Sequence, residues 1–174
     1  MHPFSELATR CVALTDGLLE ENRAYVLAEL QEHGTTALVK ALQAVELQGA
    51  IVAVGVVAMF DAALQDALEC KDGFQGALRV IEQVGEPELF ARFRDVQLAV
   101  NVLKHGQGRS HNELMARKDE LPFLVRAVDE FFSEGDVSEI ATLVQVDGAF
   151  LRHCSETIDL VAALIKRVRP TAWV

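Results

Sequence analysis

Between Gly49 and Phe60 the chain reads Gly-Ala-Ile-Val-Ala-Val-Gly-Val-Val-Ala-Met-Phe, with no charged or strongly polar side chain. The run lies inside a longer stretch that is amphipathic before it (Leu38, Leu42, Val45) and after it (Leu64, Leu68), which predicts one helix from about Thr36 to Glu69. A helix that is apolar on every side needs covering on every side. Ala50 to Phe60 is only about half of what a membrane span requires, so burial in a protein core is the expectation. A chain of 174 residues supplies one domain's worth of covering, and a helix-mediated homodimer is expected to supply the rest. Gly49 and Gly55 would allow close backbone approach there, or equally a tight contact inside one chain.

The other segments follow from periodicity and punctuation. Pro3 to Glu32 places Phe4, Leu7, Cys11, Leu14, Leu18, Tyr25 and Leu30 at three- and four-residue steps, close to a heptad, with His33-Gly34 as a stop. Lys71-Asp72-Gly73 reads as a turn, Phe74 to Val84 as a short helix ending at Gly85, and Pro87 as the first turn of the next. From Phe123 to Val128 and from Ile140 to Val146 the residues are β-rich around a turn-like Ser133-Glu134-Gly135-Asp136, with a short helix through Glu130 and Phe131 as the rival. Asp147 caps a last helix, Gly148 to Val168, with Phe150, Leu151, Cys154, Ile158, Val161 and Ile165 on its apolar side; Pro170 stops it and Trp173 is expected to dock. The expected fold is therefore mainly α, an antiparallel helical bundle with a small β-rich hairpin before the C-terminal helix. It forms a single domain over residues 1–174: a core over 1–121, an appendage over 122–147, and the final helix over 148–169.

Three scattered cysteines without CxxC spacing, and an opening segment unlike a signal peptide, lead to the expectation of a soluble, cytoplasmic protein with reduced thiols and no membrane association. The net charge of −10 argues against broad nucleic-acid binding. Yet Arg92, Arg94, Lys104, Arg109, Arg117 and Lys118 form a basic island interrupted only by Asp95 and Glu113. Solvated helix ends explain such an island about as well as an anion site does.

At the centre of that island the helical pattern breaks into Asn101-Val102-Leu103-Lys104-His105-Gly106-Gln107-Gly108-Arg109-Ser110-His111. Gly106 offers a left-handed helix stop, and Lys104 and His105 suit the negative end of a helix dipole. Ser110 or Asn112 is expected to cap a following helix, with Glu113 completing a capping box. Arg94, Leu98, Asn101 and His105 fall on one stripe. His105 there has the chemistry of an acid or base, and Lys104 and Arg109 that of phosphate holders. The bland alternative is a loop tether, a helix cap and a turn. Asp61 could face the same cluster or solvent. His2, His33, His105, His111 and His153 do not pair at ligand spacing, so no metal and no cofactor are expected. Gly106-Gln107-Gly108 follows a helix, so it is no dinucleotide fingerprint, and Cys11, Cys70 and Cys154 read as packing or exposed thiols.

The pattern Asn101-x-x-Lys104-His105-Gly106-x-Gly108-x-Ser110 at the end of a helix resembles the HEPN superfamily over roughly Ala37 to Leu114. That resemblance implies a helical bundle that dimerises along its motif helices. Active members are metal-independent endoribonucleases that use Arg and His from both protomers; others only bind nucleotides, RNA or proteins. His105 corresponds to the motif His and Asn101 to the polar residue after the Arg, but the Arg position itself is Val100. The expectation is a catalytically degenerate domain that binds an anionic ligand, RNA or nucleotide, through Asn101, Lys104, His105, Arg109 and Ser110. The alternatives are a metal-independent ribonuclease using His105 with Arg94 or Arg109 as substitute electrostatic partner, or a structural or regulatory dimer whose loop meets a protein partner.

Overall fold

The structure is a computed structural model that describes Pro3–Asp136 and Ser138–Val174. The described residues form six α-helices and one 3-10 turn: α1 (Phe4–Glu32), α2 (Thr36–Leu68), α3 (Gly73–Val84), α4 (Pro87–His105), α5 (Arg109–Met115), the turn Lys118–Glu120, and α6 (Gly148–Val168). The expected class, mainly α, is the observed one. His2, one of the histidines weighed as metal ligands, lies outside the described residues.

Local chemistry accounts for most boundaries. Thr35, Asp72 and Asp147 cap α2, α3 and α6, their side chains accepting from the amides of Leu38, Gln75 and Phe150. Gly85 ends α3 at φ 82°, a left-handed conformation that favours glycine. Pro87 opens α4, where its missing N–H costs nothing.

α1 and α2 form a long antiparallel hairpin, α3 and α4 fold back on α2, and α6 packs against α1, α2, α3 and α4. The core is knit by aromatic rings. Phe60 is fully buried, with Phe4 stacked on it at 6.0 Å and Phe93 edge-on at 6.2 Å; Phe74 lies 5.2 Å from Phe93, and Phe123 meets Phe150 at 5.2 Å. Each such ring contributes roughly 1.5–3 kcal/mol by leaving water. The apolar side expected for α6 is the one buried: Phe150, Leu151, Cys154, Ile158, Val161 and Ile165 are all nearly inaccessible.

The face of α1 is a correction. Of the near-heptad stripe, Phe4 packs on Phe60 and Leu30 is half-buried, while Leu7, Cys11, Leu14, Leu18 and Tyr25 are exposed. The helix instead turns Ala8, Val12 and Val26 inward, with Thr9 donating to Asp159 and Asp16 paired with Arg152 on α6. α2 is likewise half covered. By length and composition it could cross a membrane, but only 39% of its most apolar window is buried within the chain. Ala53, Val57, Phe60 and Leu64 face the core, while Ile51 and Met59 stay more than 60% exposed.

The β-rich appendage is also corrected. Among the described residues no strand forms, and what survives is one antiparallel bridge, Val125 with Val144, flanked by the bonds Arg126 N–H to Leu143 O and Gln145 N–H to Leu124 O. The ladder stops there for a visible reason. The Arg126 guanidinium donates to Thr142 O at 2.9 Å and also to Glu130 O, while the Thr142 amide curls back to Ile140 O. The next ladder bond would bring the Leu143 amide to the Arg126 carbonyl, and that carbonyl accepts from His111 Nε2 at 2.8 Å instead. The rival helix through Glu130 and Phe131 is absent too. Residues 121–147 form an irregular arm pinned by Arg126, which also pairs with Glu139 and lies over the Phe132 ring at 5.3 Å. At the C-terminus Trp173 does not dock; it is 46% exposed, and Val174 takes the buried position.

Candidate functional site at the corner between α4 and α5

The corner is a helix end, a glycine loop and a short helix set onto the first. Gly106 closes α4 at φ 70°, but its ψ of −142° lies outside the left-handed helical region expected of it, in a conformation open to glycine. The capping box does not form: Gly108 is the N-cap residue, no side chain caps α5, and Ser110 sits within the helix. α5 is held instead by two ion pairs to α4. Arg94 donates from Nε and Nη2 to one oxygen of Glu113, at 3.0 and 2.7 Å, and Arg117 donates to Asp95. Asp95 is buried, and its hydrogen bond pushes the Arg117 guanidinium's pKa further up. A third tether reaches the arm, where buried His111 donates from Nε2–H to Arg126 O at 2.8 Å. That bond places a proton on Nε2 and leaves Nδ1 without a protein partner among the described residues.

These tethers sort the basic island. Arg92 is engaged by α6, donating to Thr157 Oγ1 and Glu156 at 2.8 Å, and Arg94 and Arg117 are engaged by Glu113 and Asp95. Lys104, Arg109 and Lys118 are exposed, with no ion pair among the described residues. His105 and Gln107 are exposed beside them, and Asn101 is half-buried one turn back. The loop therefore brings Asn101, Lys104, His105, Arg109 and Ser110 onto one corner of the fold. Arg94 does not join them. Sharing a stripe with His105 still leaves it three turns away, about 16 Å along the axis at 1.5 Å per residue, with its guanidinium bound to Glu113. Periodicity reports direction around a helix, not distance along it.

Electrostatically the corner is mixed. The last carbonyls of α4 carry partial negative charge, which suits Lys104 and His105 but gives an anion no help. Any anion held here is held by side chains. Asp61 is not part of the corner: Oδ1 accepts the Phe74 amide at 2.9 Å and Oδ2 the Gln65 amide at 2.7 Å, so it anchors the start of α3.

A cleft of about 250 Å³ between α1, α2 and the arm went unforeseen, because residues far apart in the sequence build it. Five of its six carboxylates are engaged: Asp16 with Arg152, Glu46 with Arg23, Asp136 with Ser138, Glu139 with the amides of Phe132 and Ser133, and Asp147 with the amide of Phe150. Burial raises the Glu46 pKa in spite of Arg23, with Asp136 and Asp147 adding to the rise. These contacts fasten the arm to the hairpin. No cluster of His, Cys, Asp and Glu suited to a metal occurs among the described residues. No protein family, curated protein or solved structure matches the chain.

Proposed function

We propose that the chain is a catalytically degenerate, HEPN-like helical domain that binds an anionic ligand, RNA or nucleotide, at the α4–α5 corner. The observation that carries this reading is the division of the basic island. Three cations are consumed in clamping α5 and α6 to α4, and Lys104 and Arg109 are left free on the rigid corner so made. A clamped corner fixes the backbone that carries these charges, so only the two side chains themselves need ordering on binding. Asn101 and Ser110 add hydrogen-bonding groups, and His105 adds an imidazole.

Cleavage chemistry finds less support. The motif Arg is replaced by Val100, which is buried; of the two possible substitutes Arg94 is bound to Glu113 at three turns' distance, and Arg109 is free but follows His105 where the motif Arg precedes it. A cytoplasmic setting fits three free cysteines, of which Cys11 is exposed.

The test is thermal stability of the purified protein against nucleotides and short RNAs. A ligand at 100 times its dissociation constant stabilises by about 2.7 kcal/mol. The shift is expected for the native protein and absent in Lys104→Ala/Arg109→Ala. If no nucleotide or RNA shifts the melting temperature, the corner is only a helix cap and the reading fails.

A further inference from the structure

The α1–α2 hairpin carries its outer apolar residues and its unpaired charges in different halves. α1 steps by sevens along two neighbouring rows, Leu7-Leu14-Glu21-Ala28 and Cys11-Leu18-Tyr25-Glu32, and every residue of both rows is exposed. The first half of each row is apolar, and the second half of each carries a carboxylate. On α2, Leu47, Ile51, Gly55 and Met59 form one row at four-residue steps. Leu47, Ile51 and Met59 are exposed, and an added Cβ at Gly55 would meet nothing within 4 Å, so the row is notched down to bare backbone there. Phe4 stacks on Phe60, which sets the apolar half of α1 beside the C-terminal half of α2.

The charges of α1 are unbalanced toward its other end. Both of its arginines are engaged, Arg10 by Glu6 and Arg23 by Glu46, and Asp16 is engaged by Arg152 of α6. Glu20, Glu21, Glu29 and Glu32 have no ion pair among the described residues. Glu29 and Glu32 also sit in the last turn of α1, at the negative end of its dipole, and no basic residue offsets them in that turn. α2 brings one cation, Lys40, against Glu46, Asp61 and Asp66. Carboxylates thus stand where a helix by itself favours cations, and a cation brought from outside removes the conflict.

We infer that this face seats a basic amphipathic helix of another protein, its apolar side chains on the Leu7–Leu18 half and its lysines or arginines over Glu21, Glu29 and Glu32. Recognition of a helix by an apolar surface uses anchors at three- and four-residue steps, the spacing that this surface presents. A helix laid along α1 from Leu7 to Glu32 is about 37 Å long, about 25 residues. Charge selects the partner. A second copy would set like charge on like, since the chain carries −10 and repeats the same carboxylates. An anionic membrane surface is repelled for the same reason. The seat uses no residue of α4 or α5, so both helices stay open to contacts of their own.

The probe is a fluorescent peptide of about 25 residues with leucines at three- and four-residue steps and lysines between them; in its twin, glutamate replaces every lysine. Titrated with the full chain, the lysine peptide is expected to bind at about 1–10 µM and the glutamate twin not at all. Raising the ionic strength should weaken binding by about tenfold or more. Bound peptide should slow the alkylation of Cys11, which lies among the exposed leucines. Leu14→Gln/Ile51→Gln should weaken binding by about a hundredfold. Glu21→Gln/Glu32→Gln should weaken it by about tenfold and flatten its salt dependence. All four side chains are exposed, so both variants should keep native circular dichroism. No binding of the lysine peptide at about 100 µM overturns the inference; so does binding that leaves Cys11 reactive or that both variants retain. A native protein that sediments as a dimer with Cys11 already protected assigns the face to a second copy, and one that pellets with phosphatidylcholine vesicles assigns it to lipid. Either result overturns the inference. Nucleotide and RNA shifts at Lys104 and Arg109 report on a different surface, so each proposal can fail alone.

Discussion

Replacing Arg126 by Met should release the arm over residues 121–147 while leaving the bundle folded. The guanidinium side chain is 9% exposed and serves four groups at once: Thr142 O at 2.9 Å, Glu130 O, the Glu139 carboxylate at 3.3 Å and the Phe132 ring at 5.3 Å. Methionine keeps the aliphatic contact but loses every polar one. Glu139 would then be an 11% exposed carboxylate without its cation. Breaking a buried pair from one side costs about 3–5 kcal/mol. Only a single bridge holds the two extended segments together, so the cost is expected as local opening. Hydrogen exchange should show the amides of Arg126 and Gln145, which donate across that bridge, speeding up at least a hundredfold, an opening energy about 3 kcal/mol lower. Amides in α4 and α6 should change little. Lysine should not rescue, because one ammonium on a flexible stem cannot span that set of acceptors. Unchanged protection in Arg126→Met would refute the assignment of Arg126 as the pin of the arm.

Other consequences are as direct. Phe60→Ala removes a fully buried ring between Phe4 and Phe93, and chemical denaturation should record a loss of about 3–5 kcal/mol. At Gly73 an added Cβ would sit 2.3 Å from Asp61 O and 2.8 Å from Leu64 Cβ, so Gly73→Ala should destabilise by about 1–3 kcal/mol, although alanine is the better helix former. His153 has its pKa lowered by burial, with Arg92 adding to the effect, so the folded protein resists a proton that the unfolded chain accepts. Its contribution is complete above the unfolded value of about 6.5 and is lost as pH falls through that value toward the folded one; His153→Gln should lose less stability than the native protein between about pH 7 and 5.5. Burial pushes the Cys154 thiol up to about 12, so it should react with iodoacetamide only after denaturation.

Helix boundaries were legible because their causes are local. An Asp or Thr cap, a glycine at positive φ and a proline in the first turn act within a few residues, and α2, α3, α4 and α6 begin and end within a residue of where those signals place them. The arm was misread because β-branched composition speaks only for an extended backbone. Whether two extended segments form a ladder depends on what occupies the intervening carbonyls, and here the Arg126 carbonyl accepts from His111 on α5. The corner was legible as a polar helix end and illegible as a set of free and engaged cations. Arg94 and Arg109 look alike in sequence; they differ because Glu113 folds back onto one of them and not the other.

The sequence by itself determined a mainly helical chain, the lengths of its long helices and the polar break after His105, since period, cap and breaker are properties of neighbouring residues. Only the tertiary structure decided that α1 would turn Ala8 and Val12 inward and leave its leucines outside. Which face of an amphipathic helix is buried depends on the partners that fold against it, and Thr9 and Asp16 found theirs on α6, about 150 and 136 residues away along the chain.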